Sequence, residues 1–264
     1  MDNTSNSILS PLKIGAAALL IISLIGCGSS DSTNADASDT DAETAIAVNG
    51  AGVKGPLINA NVTAYQINPS QADLKGEIVA RGSSNTSANL QLSIPENVSN
   101  NGPFLIEYTD GTEINGEIPV IESLSTIITS QQLLAGTAVY ATPLSTFAIE
   151  HARLIADSLD NNADPLTLGL SGNNNGSVSI SELMAALETT SNNIKATLGL
   201  GLLTAEINLF TTSPLINADT DAEQTLAIRT ANEVFAAIVN NLKDEIIDDG
   251  STASGVSLVA ALAS

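Results

Sequence analysis

The hydrophobic pattern of this chain changes period part-way along, and that change limits the folds open to it more than any other feature. Between Asn49 and Ser123 apolar residues recur at every second position: Leu90, Leu92 and Ile94 alternate with Gln91 and Ser93, and Phe104, Ile106 and Tyr108 alternate with Leu105, Glu107 and Thr109. Such alternation sends apolar side chains to one face of a half-buried strand. Val53 to Leu57, Asn61 to Ile67, Glu77 to Arg81 and Glu113 to Ile118 read as further strands, parted by turn-forming clusters such as Asn68-Pro69-Ser70 and Asp110-Gly111. Beyond Ser123 the spacing becomes three and four. Thr142-Pro143 reads as an N-cap followed by Pro at the first helical position, ahead of a stripe of Leu144, Phe147, Ala148, Leu154 and Ile155. Leu183, Leu187, Ile194 and Leu198 make a second stripe, and Ala227, Ala231, Val234, Phe235, Ile238 and Leu242 a third. The expectation is an α+β multidomain chain, with an antiparallel β-sandwich over 49–123 followed by a mostly α-helical domain over 124–264.

Composition narrows the chemistry. With four Phe, three Tyr and no Trp, the core must be built from Leu, Ile, Val and Ala. Eight basic residues stand against 29 acidic ones, a formal charge of −21. Phosphate-rich partners need positive charge to meet them, so nucleic acid is excluded as an expected partner and cations are the natural counter-species. The single cysteine, Cys27, has no disulfide partner within the chain.

That cysteine ends the sequence Leu24-Ile25-Gly26-Cys27, behind an uncharged apolar run from Ile14 to Ile25. The run is too short to span a membrane, which takes roughly 20 apolar residues, and its layout is that of a secretory signal. The four residues resemble a bacterial lipobox. The resemblance implies a lipoprotein signal peptide over 1–26, cleavage before Cys27 and a lipid on its sulfur, with the chain held to the membrane through that anchor. Gly28, in place of Asp, resembles the arrangement of lipoproteins sent to the outer membrane of Gram-negative bacteria. Residues 27–48, polar and acidic without periodicity, read as a disordered tether.

The stretch Gly52-Val-Lys-Gly-Pro-Leu-Ile-Asn-Ala-Asn-Val-Thr-Ala-Tyr65, followed later by Gly102-Pro-Phe-Leu-Ile-Glu-Tyr-Thr-Asp-Gly111, resembles the opening of carboxypeptidase-regulatory-like or transthyretin-like β-sandwiches. Modules of that family space, stabilise or bind, and do not catalyse.

One loop invites a metal. In Ser171-Gly-Asn-Asn-Asn-Gly-Ser-Val-Ser-Ile-Ser-Glu182, Gly176 takes the sixth position of an EF-hand loop, where the backbone turns sharply, and Glu182 the twelfth. The calcium ligands would be Ser171, Asn173, Asn175, the Ser177 carbonyl, Ser179 and Glu182. A loop with one carboxylate would hold calcium weakly. The competing reading makes residues 173–176 a plain turn and Ser179 to Glu182 a capping box. Asp219, Asp221 and Glu223 likewise divide between helix-terminus acids and a metal cluster, and Asp157, Asp160 and Asp164 between a supplementary cluster and solvated charge.

His151, the only histidine, lies on or beside the first helical stripe and reads as structural, because no nucleophile motif and no second His accompany it. No GxSxG, HExxH, Cys–His pair or glycine-rich phosphate loop occurs. The leading expectation is a non-enzymatic, lipid-anchored envelope protein that binds an envelope protein or glycan or serves structurally. A calcium-binding, adhesin-like or carbohydrate-associated module stands beside it, and an envelope hydrolase using a carboxylate pair stands behind both.

Overall fold

The computed structural model describes residues 44–161, 175–248 and 252–264, with side chains placed at all of these except 157–161 and 248. Cys27, the apolar run before it, Ser171, Asn173 and Asp164 lie outside them. Strands fill the first part: β1 (Ala45–Ala47), β2 (Gly50–Gly52), β3 (Leu57–Ile58), β4 (Asn61–Ile67), β5 (Lys75–Ser84), β6 (Leu90–Gln91), β7 (Ser93–Pro95), β8 (Phe104–Thr109) and β9 (Thr112–Glu113), with a 3-10 turn at Glu96–Asn101. Then come β10 (Leu124–Ile128), the short helix α1 (Ser130–Leu134), β11 (Val139–Ala141) and four helices, α2 (Pro143–Asn161), α3 (Ile180–Leu198), α4 (Ala222–Asp248) and α5 (Gly255–Ala263).

The protein is α+β. Its main sheet is antiparallel and five-stranded, in the order β10-β8-β4-β5-β6, and curls, with the short pairs β1-β7 and β11-β2 against its flanks and β3-β9 as a further pair. Central β4 pairs with β8 from Asn61 opposite Thr109 to Gln66 opposite Phe104. Period two explains Phe104, Ile106 and Tyr108, all at most 1% exposed, yet Leu105 on the other face is also buried, at 3%. The strand is therefore covered on both sides at that point.

Two boundaries differ from expectation. The tether over 27–48 gives way to structure by Ala45, because β1 pairs with β7 (Ile46 opposite Ile94) and Val48 is 3% exposed. The division at 123/124 falls directly at the start of β10, whose five residues pair with β8 from Leu124 opposite Tyr108 to Ile128 opposite Phe104. By sequence Ser123 to Tyr140 reads as a bridge to which Ile127-Ile128 can add a strand, and the structure makes Leu124–Ile128 the edge strand of the sheet. A single buried cluster joins Val62, Ile94 and Ile106 on the strands to Leu144, Leu187, Ile228 and Val259 on the helices.

The sheet and helices are also tied by polar contacts. On the outer edge of β10, the Ser125 N–H donates to Thr146 Oγ1 (2.9 Å) and its carbonyl accepts from Ser145 Oγ (2.6 Å), so the first turn of α2 occupies the strand's free edge. The start of α2 follows its sequence. Thr142 Oγ1 accepts from the Ser145 N–H (3.1 Å), while buried Asn232 of α4 accepts from the Leu144 N–H (3.0 Å). The strand expected over 113–118 is not formed: only Glu113 keeps strand pairing, and Ile114 and Ile118 are 62% and 77% exposed. The apolar segment 200–210 forms turns, with Leu202, Ile207 and Leu209 buried and the Phe210 carbonyl accepting from the Tyr140 N–H (2.7 Å).

Candidate functional site

Of the predicted calcium ligands, four lie among the described residues. Asn175 Oδ1 accepts from both the backbone N–H (2.9 Å) and the hydroxyl (3.1 Å) of Ser177, closing a tight turn, and Gly176 at its centre has φ +80°. The left-handed conformation is the one the EF-hand register asks of that position. Ser179 caps α3: its Oγ accepts from the Glu182 N–H (3.2 Å), and Glu182 Oε2 accepts from the Ser179 N–H and hydroxyl, each at 2.8 Å. That is a full capping box. One carboxylate is thus present in the described part of the loop, and it already serves the helix start. Among the described residues, no three His, Cys, Asp or Glu side chains gather as a metal would need.

Asp221 caps α4 through Oδ1 and the Gln224 N–H (2.8 Å), with Glu223 in the first turn, while the Asp219 N–H turns to Asn217 Oδ1 (2.9 Å). These acids sit where a helix N-terminus attracts them. The capping alternative accounts for their placement.

Among the described residues, two recesses bear on binding. The larger, about 340 Å³, lies between Ile127, Thr129 and Gln132, the α3 residues Met184 to Lys195, and Asn208 to Phe210. Its amides are largely committed: Gln132 Oε1 accepts from the Thr129 N–H (2.9 Å), and Asn208 Oδ1 from the N–H groups of Phe210 (2.9 Å) and Thr211 (3.1 Å).

The second, about 290 Å³, is walled by α2, α3, α4 and α5 and is almost wholly apolar. His151 stands in it. Its position follows from sequence, four residues after Phe147 on α2, so the two rings meet with centroids 5.9 Å apart; Phe147 in turn meets Phe235 of α4 at 4.9 Å. His151 Nδ1 lies 3.2 Å from Thr190 Oγ1 of α3. Burial lowers the imidazole's pKa from its ordinary value, keeping it neutral at pH 7. Among the described residues no carboxylate accepts a hydrogen bond from the ring.

Sequence reasoning placed His151 near the core but missed its company. Thr190, Phe235, Ile238 and Leu262 come from three other helices. One signal was present, Phe147 and His151 on one helix face; the rest is set by how the helices cross. No family model, curated protein or solved structure matches this chain.

Proposed function

We propose that this chain is a lipid-anchored protein of the cell envelope, attached through Cys27 to the outer membrane of a Gram-negative bacterium, and that its folded part binds rather than catalyses. The observation that carries the proposal is Leu24-Ile25-Gly26-Cys27 at the end of the uncharged Ile14 to Ile25 run, in a chain with no other cysteine. A diacylglycerol on that sulfur contributes about 0.8 kcal/mol per buried methylene, and two or more chains give a stable anchor. The strand-rich first part, opening on the Gly52 to Tyr65 phrase, supports reading it as a β-sandwich relative of the transthyretin-like modules, which bind or space. A charge of −21 directs the choice of partner to envelope proteins or neutral glycans over nucleic acid.

Radiolabelled palmitate should enter the wild-type protein and be absent from Cys27→Ala, which should move to the soluble fraction. Equal labelling of the two would remove the anchor. Turnover of any substrate in a hydrolase panel would overturn the non-catalytic half.

Calcium is a second reading, favoured by Gly176 at φ +80° directly ahead of α3. It requires a calcium-dependent rise in melting temperature that Glu182→Ala abolishes. Because Glu182 also belongs to the capping box, the comparison that counts is calcium against chelator within each variant. Superimposable wild-type curves end this reading.

A further inference from the structure

We propose that the recess formed by Phe147, His151, Thr190, Phe235, Ile238 and Leu262 binds a small neutral ring compound bearing a hydroxyl group, of the class of phenols and hydroxylated arenes. This deepens the binding role above and does not depend on the lipid anchor.

Ring content comes first. The chain has four Phe and one His, and two of the Phe and the His converge here, in a continuous series at 5.9 and 4.9 Å. Stacked and tilted rings extend readily to one more ring. Charge comes second: no acidic or basic side chain lines the recess apart from the neutral imidazole, in a chain that carries −21 overall. An ion entering would leave water without a counter-charge, whereas a neutral body loses little. Size is third. An apolar cavity of about 150 Å³ holds one benzene, so 290 Å³ fits a bicyclic ring compound.

The hydroxyl follows from hydrogen-bond accounting. His151 Nδ1 is engaged with Thr190, and Nε2 has no partner among the described residues. A neutral imidazole has one donor and one acceptor nitrogen. A hydroxyl satisfies Nε2 in either tautomer, which a carbonyl does not. The rim supplies what a ligand would cover, since Ile238 and Leu262 are 41% and 40% exposed.

The test uses the full chain carrying Cys27→Ala, so that no lipid competes, titrated with 2-naphthol and followed by its fluorescence. Saturable one-site binding is expected. Ile238→Glu and Leu262→Lys, each placing charge at an exposed rim position, should weaken it at least tenfold with unchanged circular dichroism. His151→Phe should weaken 2-naphthol several-fold while leaving naphthalene affinity unchanged, which separates the hydrogen bond from the ring wall. Absence of saturation overturns the proposal, as does affinity indifferent to both rim charges. A dimer in solution that Ile238→Glu dissociates, without 2-naphthol binding, reassigns the face to self-association and also overturns it. Either result leaves the palmitate assay untouched, so failure of the ligand and failure of the anchor are told apart.

Discussion

Ser179 shows how far a single residue can be read without its surroundings. Its side chain caps α3 over a span of three residues, and a contact that local needs only the order of residues to be foreseen. Ser179→Ala should cost about 1 kcal/mol, read as a fall in melting temperature of roughly 2–4 °C for a chain of this size, and equally with or without calcium if the box is its whole role. Thr142 and Asp221 were legible for the same reason. His151 was not, because its neighbours on α3, α4 and α5 are remote in sequence. Its titration gives a second prediction. Burial lowers its folded pKa from the ordinary 6.5, so the unfolded chain takes up the proton first as pH falls. The contribution to stability is full above about pH 6.5 and is lost below it. Between pH 7 and 5.5 the wild type should lose melting temperature and His151→Gln should lose less; parallel curves would deny the effect. Carboxylates act lower down. Burial works to raise the pKa of Glu122, but the hydrogen bonds from Lys243 and backbone N–H groups outweigh it and hold it below 4.5. Its contribution is present above that value and lost as pH falls through the folded pKa.

Helices repeat the contrast at the scale of whole elements. The stripes on α2 and α3 were placed correctly at Leu144, Ala148, Leu183, Leu187 and Ile194, all buried. On α4 the spacing also enrolled Val234 and Ile238, which are 39% and 41% exposed, while Ile228, Ala236 and Val239 are buried. Periodicity reports that a helix has an apolar side, but the crossing angles of its neighbours decide where that side ends, and here Ile238 lines the ring-walled recess. Inter-element polar ties were equally invisible. Asn232 of α4 accepts from the Leu144 N–H at 3.0 Å and donates to the Ile228 carbonyl at 2.9 Å while 4% exposed. Asn232→Ala should therefore cost about 1–3 kcal/mol by stranding a buried donor, measurable by denaturant titration. Gly255 opens α5 so close to the segment before β10 that a Cβ there would lie 2.0 Å from the Val120 carbonyl oxygen. Gly255→Ala should loosen α5, with early hydrogen exchange at Leu258 and Val259 as the readout.

For the molecule as a whole, the order strands-then-helices was legible, whereas the place where one ends was not. β10 carries the pattern Leu-Ser-Thr-Ile-Ile, too short and too apolar to declare its period, and it binds the helical half to the sheet. Heating should accordingly give one cooperative transition for residues beyond 44, and a fragment ending at Ser123 should show none. Two separate transitions would restore a boundary there. The way that sheet ends has a further consequence. On one side β6 pairs with only Ser83 and Ser84 of β5, and on the other the Ser125 N–H and C=O of β10 are occupied by Thr146 and Ser145. The β10 margin is thus closed at Ser125, while the outer edge of β5 over 75–82 is the margin whose backbone no strand pairs among the described residues.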